Sequence, residues 1–165
     1  MAETRSETNK ITVVFLLYHA PRFVAGLVDA ISRQRHPRFP APADWLRVMF
    51  VDNGSTDDTG RILAEAVAKA GAPAHWQIVT NTPNLGYAGA VNKAFRMAET
   101  PYALTCHCDC LFGSAEYVAT MLELLERRPK AAAITGQPAF PEGQALPFAE
   151  KVNLVANLMD IFPVE

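Results

Sequence analysis

The chain has 165 residues, half of them hydrophobic, and a formal charge of −2, enough for one domain with a real core and too short for two ordinary ones. That charge provides no basic field for nucleic acid, and no apolar run approaches the length needed to span a bilayer. Met1 to Lys10 is polar, with charges of both signs and no apolar core before a cleavage site; it reads as a flexible tail rather than a secretory signal.

Ile11 to Tyr18 is a continuous apolar run rich in β-branched residues, the pattern of a central parallel strand covered on both faces. Pro21 suits a first helical turn, and Phe23, Leu27, Ala30 and Ile31 then recur at helical spacing, with closure expected at Ser32. Arg33 to Asp44, punctuated by Pro37, Pro40 and Pro42, is a surface loop. Arg47 to Asp52 is the second strand, broken by Asn53-Gly54-Ser55; Ser55 or Thr56 can cap the next helix, with its stripe at Ile62, Leu63, Ala66, Val67 and Ala70. Gly71-Ala72-Pro73 stops it. A third strand is expected at His75 to Thr80, a helix at Gly86 to Ala98, a fourth strand at Tyr102 to Asp109, a helix capped by Ser114 that buries Val118, Met121, Leu122 and Leu125, and a fifth strand at Ala131 to Thr135. Strands alternating with helices at this spacing predict an α/β domain over residues 11–136, an open, mainly parallel sheet flanked by helices. Residues 137–165, a Pro- and Gly-rich loop and then an amphipathic helix through Val152, Val155, Ala156 and Met159, are expected to belong to the same domain.

Sheets of this kind bind ligands at the carboxyl ends of their strands. Tyr18, His19, Asp52, Asn53, His107 and Asp109 all fall at expected strand ends, so three ends should converge on one rim. Three clusters there can carry chemistry. Val51 to Asp57 is a strand-to-helix turn whose leading carboxylate can accept a hydrogen bond from a nucleobase N–H; such turns also form for purely local reasons. Asn81 to Asn92 places Gly86 and Gly89 at a helix start, where backbone can approach an anion, although it is neither a Walker loop nor a dinucleotide fingerprint. An ordinary helix entry explains it equally well.

The third cluster is Cys106-His107-Cys108-Asp109-Cys110. In a strand the three thiols face one way and His107 and Asp109 the other. The thiols then read as buried small hydrophobes. A structural zinc site is the weaker alternative, because the sulfurs lack the usual separation and no second cysteine cluster exists. Three cysteines within five residues cannot staple a fold, so a reducing cytoplasm fits best.

In this order the clusters resemble the inverting family 2 glycosyltransferases of GT-A fold. The matching residues are Val13 to Tyr18, Val51 to Asp57, Asn84 to Asn92, and the strand ending in Asp109. The resemblance covers Ile11 to Gly136 and implies transfer of a sugar from a UDP- or dTDP-linked donor to a glycan or lipid-linked acceptor, with inversion. It places Tyr18 against the base or ribose, Asp52 on a base N–H, Asn84, Gly86 and Asn92 along the ribose and phosphates, and Asp109 on Mg²⁺ or Mn²⁺ at the diphosphate. His107 stands where the family's metal motif has its first Asp; imidazole brings no negative charge to a hard cation. The family's catalytic base lies well downstream, where Glu142, Glu150 and Asp160 precede the terminal Glu165 and none matches, so the domain is expected to be truncated on its acceptor side.

Two further expectations follow. The apolar stripe of the terminal helix packs on missing structure, joins a second copy as a homodimer, or rests peripherally on the inner face of the membrane, packing or pairing being preferred. Two competing functions also stand: a non-catalytic nucleotide-binding or interaction module of the same fold, and a nucleotidyltransferase. The latter is disfavoured because His19-Ala20-Pro21 replaces a Gly-rich basic loop after the first strand.

Overall fold

A computed structural model describes residues 10–136. The elements are β1 (Ile11–Leu17), α1 (Pro21–Ser32), β2 (Leu46–Asp52), α2 (Thr59–Lys69), β3 (Trp76–Thr80), α3 (Gly86–Met97), β4 (Tyr102–His107) and α4 (Tyr117–Glu126), with a short 3₁₀ turn at Pro42–Asp44. The four strands form one sheet in the order β3-β2-β1-β4, every pair parallel. These elements lie in one compact unit that runs to Thr135, and Gly136 opens a second.

β1 is apolar apart from Thr12, whose hydroxyl pairs with that of Thr100 at 2.7 Å, because both of its faces are covered. Ile11, Val13, Phe15 and Leu17 point into a core built with Leu46, Val48 and Phe50 of β2, with Val24, Leu27 and Ile31 of α1, with Leu63 of α2 and with Val118 and Leu122 of α4. Phe15 and Phe50 stack there at 5.5 Å between ring centres. On the other face Val14 joins Met49, Val51 and Val79 beneath Ala90 and Ala94 of α3. Alternation along one strand thus feeds two cores. Among the described residues cover is unequal, since α1, α2 and α4 share the first face while α3 alone covers the second. Thr105 and His107, pointing to the α3 side at the edge of the sheet, are exposed.

Several expectations need correction. Residues 131–135 are not a strand: Ala131, Ala132 and Ala133 offer no branched or aromatic surface for a pleated sheet to pack. β4 stops at His107, because the Cys110 N–H donates to the His107 carbonyl at 3.2 Å and turns the chain, so Asp109 lies in a turn rather than at the strand's last residue. Cys106 and Cys108 pack against the first core, whereas Cys110 is exposed.

The helix starts also differ. α2 begins at Thr59 without a side-chain cap, since Ser55 and Thr56 are engaged by His19. α4 is not capped by the Ser114 hydroxyl; the buried Gln34 side chain reaches over from the end of α1, its Oε1 accepting from Val118 N at 3.1 Å and its Nε2 donating to the Ser114 carbonyl at 2.9 Å. On α3, Phe95 is exposed rather than buried. Ala70, expected at the end of the α2 stripe, is exposed, and Leu125 is only partly buried. The loop and amphipathic segment at 137–165, the proposed homodimer contact through that segment, and Glu142, Glu150 and Asp160 lie outside the described residues, as does nearly all of the 1–10 tail.

Candidate nucleotide-binding site

Register aligns the strand ends. Leu17 pairs with Asp52 and Asp52 with Thr80, while Leu16 pairs with His107 on the other side of β1. The chain therefore leaves β1, β2 and β4 at one level, and Tyr18, Asp52 and His107 reach the same rim.

Hydrogen bonds then join the ends. Asp52 is 4% exposed, and its Oδ1 accepts from Ser55 N at 3.0 Å. Ser55 Oγ in turn accepts from His19 N at 3.0 Å, which ties the end of β1 to the turn after β2. Gly54 has φ +80, and a Cβ built on it would stand 2.9 Å from the backbone nitrogen of Asn84. Only glycine allows the two loops to approach this closely.

Next to Asp52 is an amide cluster that sequence reasoning missed. Asn53, 3% exposed, donates from Nδ2 to Asn84 Oδ1 at 2.9 Å and to the Gly86 carbonyl at 3.2 Å. Its Oδ1 accepts from Asn81 Nδ2 at 3.0 Å and from Leu85 N at 3.1 Å. Lys93 completes the cluster by donating to Asn81 Oδ1 at 2.6 Å. The start of α3 is thus fixed to the end of β2 by one side chain with both ends satisfied. Asn84 Oδ1 also accepts from Gly86 N at 2.7 Å, so Asn84→Ala is expected to cost about 1–2 kcal/mol, measured by denaturant unfolding. A change within error would show that the Asn84 amide does not hold the α3 start.

On the far side of the rim Tyr87, in the first turn of α3, stacks on His107 with 5.1 Å between ring centres and 5° between planes. The structure therefore brings Tyr18, Asp52, Asn84, Gly86 and His107 into one connected rim. Asn92 lies almost two turns further along α3 and is exposed. Asp109 is an exposed carboxylate in the turn after β4, where Oδ1 accepts from the Cys110 thiol at 3.7 Å. Asn53 is expected at the rim and Asn81 and Tyr87 fall within the expected 81–92 cluster, but their partners are new, and Lys93 is an addition to the site. The polar Asn53 directly after a buried strand and the asparagines and glycines of 81–92 are the local signals; nothing local points to Lys93.

The thiols do not form a metal centre. Burial pushes Cys106 up to about 12, and burial followed by the Asp109 charge raises Cys108, so both thiols are protonated at neutral pH, and Cys110 is exposed while the other two pack on the core. No group of three or more His, Cys, Asp or Glu side chains poised for a metal occurs among the described residues. A hard divalent cation would find one exposed carboxylate here, Asp109, whose oxygens suit such an ion. A cavity of about 460 Å³ lies at the opposite, amino ends of the strands, lined by Thr12, Arg47, His75, Gln77, Glu99 and Thr100 among others; it is remote from this rim.

Residues 12–151 match the sequence profile of glycosyl transferase family 2. The chain belongs to that family. The teichoic acid poly(glycerol phosphate) polymerase of Staphylococcus epidermidis is 28% identical over 101 residues, which is 61% of this chain and 13% of that protein. Among solved structures, the mannosyltransferase PcManGT from Pyrobaculum calidifontis, in complex with GDP-Man and Mn²⁺, superposes with a TM-score of 0.63 at 26% identity, covering 75% of this chain and 34% of that one. S. aureus TarS 1-349 in complex with UDP gives 0.60 at 19% identity, covering 84% and 38%. The family 2 sheet is thereby shown to be of GT-A type. The chain spans only about an eighth of the curated relative and about a third of these solved chains.

Proposed function

We propose that the chain is the donor-binding part of an inverting, metal-assisted glycosyltransferase that takes a UDP- or dTDP-linked sugar to a glycan or lipid-linked acceptor. The observation that carries this is the continuous rim from Tyr18 through Asp52 and Asn53 to Asn84, Gly86 and His107, built from three strand ends and one helix start. In this reading Tyr18, 50% exposed, offers its ring to the base or ribose. The Asp52 carboxylate, one oxygen held by Ser55, accepts a base N–H through remaining lone pairs. Asn84 and Gly86, at the α3 start, and Asn92 along the helix line the ribose and phosphates, favoured by the positive end of the helix dipole. His107 contributes one hydrogen bond, its ring plane set by Tyr87. Asp109 holds Mg²⁺ or Mn²⁺, which supplies neutralisation of the charge that grows on the departing diphosphate.

Support for the acceptor class comes from the relative named for teichoic acid polymerisation. The free cysteines 106, 108 and 110 suit a reducing cytoplasm, and among the described residues no helix is long and apolar enough to cross a membrane. The decisive experiment is calorimetric titration of the 165-residue chain with UDP, dTDP and GDP, each with and without Mn²⁺. Saturable binding of a uracil or thymine nucleotide, strengthened by Mn²⁺, is expected; preference for GDP would overturn the donor assignment, and absence of all binding would overturn the site. One observation favours a second reading, a non-catalytic nucleotide-binding module: His107 occupies the position of a family carboxylate. Release of free sugar from a bound donor would exclude it.

A further inference from the structure

At the rim, His19 makes a bond whose polarity is fixed by chemistry. The Thr56 N–H can only donate, and it points to His19 Nε2 at 3.1 Å. Nε2 must therefore present its lone pair, so the imidazole is neutral and carries its proton on Nδ1. The backbone of the same residue is held in the left-handed region, φ 48, by the bond from His19 N to Ser55 Oγ at 3.0 Å. The Tyr18 ring stacks on this imidazole with 4.1 Å between centres and 18° between planes, and Ser55 N holds Asp52 Oδ1. A single imidazole thus links Tyr18 to the turn that carries Asp52.

We infer that His19 is a positioning residue, a proton-sensitive latch between the end of β1 and the 53–56 turn, acting on the donor nucleoside through Tyr18 and Asp52; the last part rests on the donor-site reading above. A proton added at Nε2 would face the Thr56 N–H, donor against donor. Thr56 Oγ1, also 3.1 Å from Nε2, can accept from the protonated ring, so the bond passes from the amide to the hydroxyl and the Thr56 N–H loses its acceptor. Among ionised neighbours, Asp57 interacts electrostatically with His19. Arg22 of α1 lies over the Phe23 ring at 4.5 Å, and Asp52 is reached only through Ser55.

The test compares the 165-residue chain with its His19→Gln variant, whose Oε1 can accept from Thr56 N but does not titrate. UDP affinity is measured from pH 8 to pH 5, the interval over which imidazoles change charge. Because the phosphate also titrates near pH 6, the informative quantity is the ratio between the two proteins. The native chain is expected to lose about three- to tenfold more affinity than the variant, the worth of one hydrogen bond. In parallel, ¹⁵N spectra should show an unprotonated Nε2 at pH 8 and a Thr56 amide resonance that titrates with His19 and is flat in His19→Gln. A protonated Nε2 at pH 8 or a flat Thr56 resonance would overturn the latch, and equal affinity losses in the two proteins would overturn its positioning role. If UDP binds neither protein at any pH, the donor-site reading fails, while the Thr56 resonance still decides the latch.

Discussion

Gly54→Ala is expected to destabilise the chain by about 2–6 kcal/mol. Two independent penalties combine. A non-glycine residue at φ +80 carries about 1–3 kcal/mol of backbone strain, and a Cβ only 2.9 Å from Asn84 N and 3.2 Å from the Asn81 carbonyl oxygen forces two loop backbones apart, at about 1–3 kcal/mol for overpacking. Neither atom belongs to a flexible side chain that could swing aside. The displacement falls on the amide cluster around Asn53, so the variant should also lose nucleotide affinity in proportion. Chemical denaturation measures the first effect and calorimetry the second; a loss below about 1 kcal/mol would show that the two turns are not held in contact.

Asp109→Asn is expected to abolish the gain in UDP affinity on adding Mn²⁺, a gain of about a hundredfold in the native chain, given that even outer-sphere changes at metal sites cost 10–100-fold. The substitution keeps shape and removes charge. Affinity measured without metal should change little, because the Asp109 carboxylate pairs with the neighbouring Cys110 thiol and not with Asp52 or Asn53, whose bonds run to Ser55 and to the start of α3. This separates loss of metal from loss of fold. Equal metal enhancement in both proteins would remove Asp109 from the role proposed for it.

Strand and helix positions were largely legible, since they follow from local periodicity. β1 reads as doubly buried from Ile11 to Leu17 alone, and α1 runs from Pro21 to Ser32 as its spacing predicts. Its boundary is right because Pro21 and the following stripe carry the whole signal. The failures share another cause. Whether Ser55 caps a helix or receives His19 depends on residues 36 positions away, and the role of Asn53 depends on partners 28 to 33 positions away. Single-sequence patterns are silent about such pairings. The 131–135 segment was misread because a run of alanines is apolar without being β-favouring. The nucleotide rim was legible by family resemblance, while the amide cluster beneath it becomes visible only when β2 and α3 are brought together.

The strand order β3-β2-β1-β4 also sets a sequence of assembly. β1, β2 and β3 pair in succession through nearby crossovers, whereas β4 must insert beside β1, with Ile11 opposite Tyr102, across about ninety residues of intervening chain. Closing so long a loop carries a larger entropic cost before its contacts repay it. During synthesis the ribosome can release Tyr18, Asp52 and Asn53 into a nearly complete half-site while His107 and Asp109 are still unmade. The residues proposed to read the nucleoside therefore precede those proposed to meet the diphosphate, and β4, the last of the four described strands to be made, is the one that joins them.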